Sequence, residues 1–360
     1  MGISTEAYYE ALKHNDWSPE KAAKVLGVTA RQVLVKKKQM KALGISVPES
    51  SYHTNRFAYV DTKAKGPREF EAPSLPDRDR SLEEILSDRK KEFSRFRNSE
   101  EARKLIRIKV KLKGPIGINL QGDPHLDDPG CDISAIERDT HLVRTTEGML
   151  AGCIGDLQNA WVGRLGRLYG VQTTTAREAW KLVEWYVKSC AHKWLFVLKG
   201  NHDLWAGEND LLGWIASGSQ VMAEAHQIRL ALVFPNGREV RLSARHDWPG
   251  QSMWNPSHGQ LRASRFTVHD HLIVGGHRHS GGYQMTYVEA SDLISHLIQL
   301  GAYKIYDDYR AEKGMNRFQM SPSVTVVVDP DAREQVNLIQ VFHDTARAAD
   351  YLKYLRKRAA

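Results

Sequence analysis

The 360-residue chain is poor in cysteine: Cys131, Cys153 and Cys190 are scattered and contain no CxxC pair. An odd, widely spaced set excludes a disulfide framework and is expected as free thiols in a reducing cytosol. Long hydrophobic runs are missing too, the longest being of the kind Leu195–Leu198 and Val326–Val328. A membrane span needs about 20 apolar residues, so no membrane partner is expected. The first residues, Met1 to Glu6, lack the basic flank and apolar stretch of a signal peptide, which gives the cytoplasm as the expected location. With 41% hydrophobic and 26% charged residues, a collagenous, coiled-coil or wholly disordered chain is excluded, and the length suits about two domains.

What is present is unevenly placed. Residues 1–113 hold 25 Lys and Arg against 16 Asp and Glu, a balance of +9, while the remainder is at −1. A polyanionic partner would therefore be drawn to the N-terminal third.

That third begins with three expected helices. Thr5 to Lys13 has apolar residues at helical spacing. Ser18 and Pro19 supply an N-cap and a first helical residue for a helix that stops at Gly27, and Thr29 caps a third from Ala30 to Leu43, ending at Gly44. Two helices joined by a glycine turn make a helix-turn-helix layout. The stretch Ala22-Ala23-Lys24-Val25-Leu26-Gly27-Val28-Thr29, with Val33 anchoring the next helix, resembles the C-terminal segment of the Fis family of bacterial DNA-binding modules. The resemblance implies that residues 1–46 bind DNA. Thr29, Arg31 and Gln32 would face the major groove, with Lys36, Lys37, Lys38 and Lys41 nearer the phosphates. It also allows a homodimer. Residues 47–104 read as a charged linker, with four prolines between Pro48 and Pro76, followed by a connecting helix opened by the capping box Ser81-Leu82-Glu83-Glu84.

From residue 105 to 360 the pattern is of strands alternating with helices, which argues a layered α/β domain. Strands are expected at 105–111, 116–120, 150–153, 194–198, 228–234, 240–243, 272–274 and 324–328, and helices at 133–146, 174–191, 290–301 and 344–357. Polar residues gather just after the strands: Asp123-Pro124-His125, Gly155-Asp156-Leu157-Gln158-Asn159, Gly200-Asn201-His202-Asp203, His246, and Gly276-His277-Arg278-His279. Ligands of open α/β sheets collect beyond the carboxyl ends of strands, so these loops can converge on one site. Carboxylates, imidazoles and one amide suit Mn, Fe, Zn, Co or Ni. Seven such groups (Asp123, His125, Asp156, Asn201, His246, His277 and His279) suit two divalent ions, Mn²⁺ being the first choice, with one shared carboxylate.

These motifs, in this order, resemble the calcineurin-like metallophosphoesterase superfamily, including phosphoesterases of the Mre11/SbcD type. The resemblance implies a two-sheet sandwich flanked by helices. Asp123, His125, Asp156 and His279 would hold one metal; Asp156 would bridge to a second held by Asn201, His246 and His277. His202 would stay off the metals and protonate the leaving oxygen, with Asp203 orienting its ring, and metal-bound hydroxide would be the nucleophile.

The fourth motif departs from the usual His-Gly pair, having His246-Asp247; His258-Gly259 offers that pair twelve residues on. His246 is preferred because it ends a strand. His269-Asp270-His271 precedes a strand and is expected outside the site. Arg262, Arg265 and Arg278 are either phosphate-holding or plain surface residues. The leading expectation is a two-metal phosphodiesterase delivered to DNA, a nuclease similar in architecture to phage or prophage enzymes and so at work in the host cytoplasm. The alternatives are a phosphatase or cyclic-nucleotide phosphodiesterase on a small molecule or phosphoprotein, and a catalytically decayed DNA-binding regulator.

Overall fold

A computed structural model describes residues 3–48, 79–206, 210–306 and 322–359, together with Glu312 and Gly314. Most of the expected charged linker lies outside the described residues. The chain divides into two compact units, Met1–Arg80 and Ser81–Ala360.

The first unit contains α1 (Thr5–Lys13), α2 (Pro19–Leu26) and α3 (Ala30–Ala42). Each helix starts where the sequence supplies a cap. Ser4 accepts from the Ala7 amide, Ser18 caps α2 with Pro19 in its first turn, and Thr29 and Gln32 form a reciprocal capping box on α3. Gly27 closes α2 in the left-handed conformation at φ 63°, where glycine avoids the Cβ penalty. Leu12, Ala22, Ala23, Val33 and Met40 are buried between the helices, and the small Ala22 and Ala23 let them approach.

In the second unit α4 (Leu82–Arg103) leads into two six-stranded sheets. One sheet holds β1 (Ile106–Lys109), β6 (Gln227–Val233), β7 (Glu239–Arg245), β8 (Leu272–Gly275), β10 (Leu293–Gln299) and β9 (Gly282–Val288), in that spatial order. The other holds β12 (Ile339–Phe342), β11 (Ser323–Val328), β2 (Ile116–Gln121), β3 (Met149–Cys153), β4 (Trp194–Lys199) and β5 (Ala223–Ala225). The alternation of β2 explains the layering. Ile116, Ile118 and Leu120 enter the core between the sheets beside Leu230, Leu242, Leu272 and Val326. Asn119 on the other face bonds Thr325 and Thr345 at 3.0 and 3.1 Å. Outside that second sheet pack α5 (Ile133–Thr145), α6 (Ala176–Ser189), α8 (Leu211–Gly218) and α10 (Thr345–Ala359). On the first sheet α9 (His258–Phe266) contributes Ala263 to a small cluster with Ile273 and Leu297. The expected two-sheet α/β sandwich with flanking helices is the fold that forms.

Among the expected elements, one helix is overturned. Residues 290–301 carry no helix; they form β10, paired parallel with β8 and antiparallel with β9. Leu293, Ile294, Leu297 and Ile298 have helical spacing, but a strand inside a sheet is apolar on both faces. Leu297 lies in the cluster with α9 and Ile298 in the core between the sheets. The three cysteines are free thiols, with burial pushing the Cys153 thiol up to about 12. Among the described residues no helix is long and apolar enough to cross a membrane.

Candidate metal centre

β2, β3 and β4 run parallel in one sheet, and β7 and β8 run parallel in the other. Their carboxyl ends deliver Asp123, Asp156 and Asn201 from the first group and His246 and His277 from the second, so the site is built by both sheets. The loops approach too closely for side chains at several glycines, Gly200 and Gly276 among them. A Cβ on Gly200 would lie 2.1 Å from Asp156 Oδ1, and one on Gly276 would lie 2.9 Å from Asp123 Oδ1. His125, Asp156, His277 and His279 all have left-handed φ values of 44–68°. Strain of this kind costs on the order of 1–3 kcal/mol per residue and persists where the surroundings over-determine it, as at ligand sites.

Two ligand groups result, and they share Asp156: His125, Asp156 and His202, and Asp156, His246 and His277. His246 Nε2 lies 3.1 Å from Asp156 Oδ2, 3.0 Å from Asn201 Oδ1 and 3.2 Å from His277 Nδ1. On the other side His125 Nε2 is 3.1 Å from His279 Nε2, which is 3.8 Å from Asp123 Oδ2. All seven ligand candidates from the sequence are therefore assembled. The residues fit divalent cations on the structure's own evidence: Asp123 Oδ1 and His125 Nδ1 are buried with no hydrogen-bond partner. Hard carboxylate oxygens and imidazoles converge where a cation would satisfy them. His246 Nδ1 donates to the Ile154 carbonyl at 2.9 Å, which fixes the tautomer and turns the Nε2 lone pair inward.

Charge is unevenly tuned. Burial raises Asp123 to about 6, against the pull of His246 and His279. Burial works the same way on Asp156, but His246, His202 and His125 hold it far below the usual carboxylate range. Burial opposes a charge on His246, yet Asp156 and Asp123 raise it to about 10. Burial, reinforced by the neighbouring histidines, holds His125 well below its ordinary value and lowers His277.

His202 is held by a partner the sequence reading did not assign. Its Nδ1–H donates to the Asn159 carbonyl, and its ring packs among His125, Trp161 and Trp205 with centroids 4.5–5.1 Å away. Asp203, expected to orient that ring, is committed elsewhere. Its carboxylate accepts the amides of Asp156, Leu157 and Gly200 at 2.7, 3.0 and 2.8 Å, tying the β3 and β4 loops together. In the short helix α7 (Asn201–Trp205) Asp203 stands in the first turn, where its carboxylate reaches back to the Gly200 amide; the Asp156 and Leu157 amides come from the β3 loop packed against it. His202 also comes within ligand distance of the first group, although it was expected off the metals. Beside it opens a cavity of about 260 Å³ lined by Asn159, Trp161, Gln172, Lys304 and Tyr306. Lys304 sits over Trp161 at 5.3 Å and pairs with Asp128 at 2.9 Å.

The remaining candidates fall outside this centre. His258 starts α9, and Asp270 pairs with Arg229 at 2.7 Å while His271 accepts the Arg241 amide. Arg278 is engaged by Asp247 and the Trp248 carbonyl, both at 3.0 Å, and Arg262 and Arg265 are exposed on α9.

In the first unit Arg31, Lys38 and Lys41 are exposed and Lys36 is half-buried. Lys37 is only 7% exposed. It follows Val33 by four residues and precedes Met40 by three, which puts it on the core face rather than on a phosphate-facing one. Thr29 and Gln32 are exposed but bonded to each other, with 2.9 Å between Oγ1 and Oε1.

No protein-family model and no curated protein matches the chain. Among solved structures it is similar to a conserved uncharacterized protein of Streptococcus pneumoniae described as a predicted phosphoesterase, with 12% identity and a TM-score of 0.30 over 64% of this chain and 99% of that one. It is also similar to wild-type Vps29 complexed with Zn²⁺ from Entamoeba histolytica, with 9% identity and a TM-score of 0.33 over 63% of this chain and 97% of the other. The functional reading therefore rests on this chain's own residues: two His and Asp ligand groups, sharing one carboxylate, at the carboxyl ends of strands from two sheets.

Proposed function

We propose that the chain is a hydrolase of phosphoric esters working with two divalent ions, Mn²⁺ first, and that its substrate is a phosphodiester of DNA. The observation that carries this reading is the sharing of Asp156 between the two ligand groups. When bound, two such ions supply positive charge to a phosphoryl group and acidify a water molecule. The protein's own work is to hold and shield. Asp156 and Asp123 provide the buried negative charge, Asp203 fixes the loops that carry Asp156 and Asn201, and Trp161 and Trp205 flank His202. With Nδ1 engaged by the Asn159 carbonyl, His202 presents Nε2 as the atom that exchanges a proton with the leaving oxygen. DNA as substrate is supported by the basic N-terminal third and by the exposed Arg31, Lys38 and Lys41 on α3.

The test is Mn²⁺-dependent cleavage of linear and circular DNA beside bis-p-nitrophenyl phosphate, with Asp156→Ala and His202→Ala as controls. DNA cleavage lost in both variants is the expected result. Turnover of the small diester with DNA left intact would reject DNA and move the substrate to a small phosphate ester. Removal of residues 1–46 is expected to weaken DNA cleavage and its salt dependence while sparing the small diester.

A further inference from the structure

Helix α4 has an apolar stripe that none of the described residues of its own sandwich covers. Leu82, Ile85, Leu86, Phe93 and Phe96 are 65, 40, 49, 64 and 64% exposed, and no residue of the helix is buried. At about 100° per residue the five fall within an arc of about 100°. Leu82, Leu86, Arg89, Phe93 and Phe96 follow one another at alternating spacings of four and three, the repeat of helices that pair along a seam. The helix is well started by the Ser81–Glu84 capping box. Its last turn meets the sandwich, where Arg103 pairs with Glu224 at 2.8 Å. In proteins most of a helix's stability comes from packing of its apolar face, which here has no partner among the described residues of the sandwich.

Charge identifies what covers the stripe. Residues 82–88 contain Glu83, Glu84 and Asp88 and no base. Residues 89–103 contain Arg89, Lys90, Lys91, Arg95, Arg97 and Arg103 against Glu92, Glu100 and Glu101. An antiparallel copy of the same helix sets the acidic end against the basic end; a parallel copy sets like against like.

We propose that α4 pairs antiparallel with α4 of a second copy of this chain, along a seam centred near Arg89. Leu82 of one copy then packs against Phe96 of the other, and Ile85 against Phe93, with Glu83 facing Arg95 and Arg97. Arg89, at the centre, keeps Glu92 as its counter-ion. The pairing is independent of the phosphoesterase reading.

Sedimentation equilibrium of the full chain tests it. The expected mass is twice 40.8 kDa, falling to the single-chain value on dilution. Phe93→Glu with Phe96→Glu is expected to give single-chain mass with unchanged thermal unfolding of the sandwich, since both side chains are exposed in one copy. Arg95→Glu with Arg97→Glu should weaken the dimer, and mixing that variant with Glu83→Lys plus Glu84→Lys should restore it. Orientation is read by oxidation: Leu82→Cys and Phe96→Cys should cross-link when mixed and not separately. A wild-type chain that stays single at every concentration, a double phenylalanine variant that stays dimeric, or Leu82→Cys linking to itself would each overturn the proposal.

Discussion

His246 Nε2 faces Asp156 Oδ2 at 3.1 Å, with Asp123 Oδ1 3.7 Å from the other ring nitrogen. The two carboxylates raise the imidazole's pKa to about 10, so in the absence of a cation the pair keeps a proton that a metal has to displace. Mn²⁺ or Zn²⁺ binding is therefore expected to release protons and to weaken as pH falls. Calorimetry in buffers of different ionisation enthalpy reads this directly; affinity that is flat with pH would contradict it. Asp156→Asn should lose both ions, because both groups use that carboxylate.

Gly200→Ala is expected to disable the centre without unfolding the chain. Its Cβ would lie 2.1 Å from Asp156 Oδ1 and 2.6 Å from His246 Cε1, so the two ligands must separate. A drop of about 10- to 100-fold in metal affinity, with unchanged circular dichroism, is the expected outcome. Wild-type affinity would show that the loops can yield.

For His202→Ala the expectation is two retained ions and turnover of the small diester reduced by about 10²- to 10⁴-fold, the usual size of a lost proton transfer. Metal content and rate have to be measured on the same preparation. Loss of one ion would instead make His202 a ligand, since it lies within reach of the His125 and Asp156 group.

His296, buried in β10 and accepting or donating to the Tyr283 hydroxyl at 2.9 Å, is pushed down to about 4, by burial first and His271 second. Its folded value lies below the ordinary 6.5, so between the two the unfolded chain holds more protons and stability rises with pH. The linked loss begins as pH falls through 6.5 and is complete below 4, amounting to about 3 kcal/mol. His296→Gln removes that dependence. The gap in Tm between wild type and variant should shift in favour of the variant on acidification; a constant gap would show that the histidine does not titrate this way.

The grouping of the seven candidate ligands was legible in the sequence because each follows the end of a strand, a position that glycine and polar residues mark locally. The caps of α2 and α3, Ser18 and Thr29, were legible from the same local marking. What escaped depends on partners distant in sequence. The helical spacing of Leu293, Ile294, Leu297 and Ile298 cannot reveal that β8 and β9 flank them. The commitment of Asp203 to three amides depends on two loops 47 residues apart meeting, and Lys37 looks like its neighbours Lys36 and Lys38 until the bundle closes over it. The stripe on α4 was masked by the charges between its apolar residues.

The His125, Asp156 and His202 group comes from one sheet, but the Asp156, His246 and His277 group draws on both. Asp123, Asp156 and Asn201 follow strands of one layer and His246, His277 and His279 follow strands of the other, while Leu120, Leu230, Leu242 and Leu272 fill the space between. A cation held by the second group would act as a rivet through both plates of the sandwich, its grip a gauge of how firmly the plates are pressed together. Loosening the leucines that separate them, well away from any ligand, would then relax the rivet, and filling the rivet hole would stiffen the plate pair.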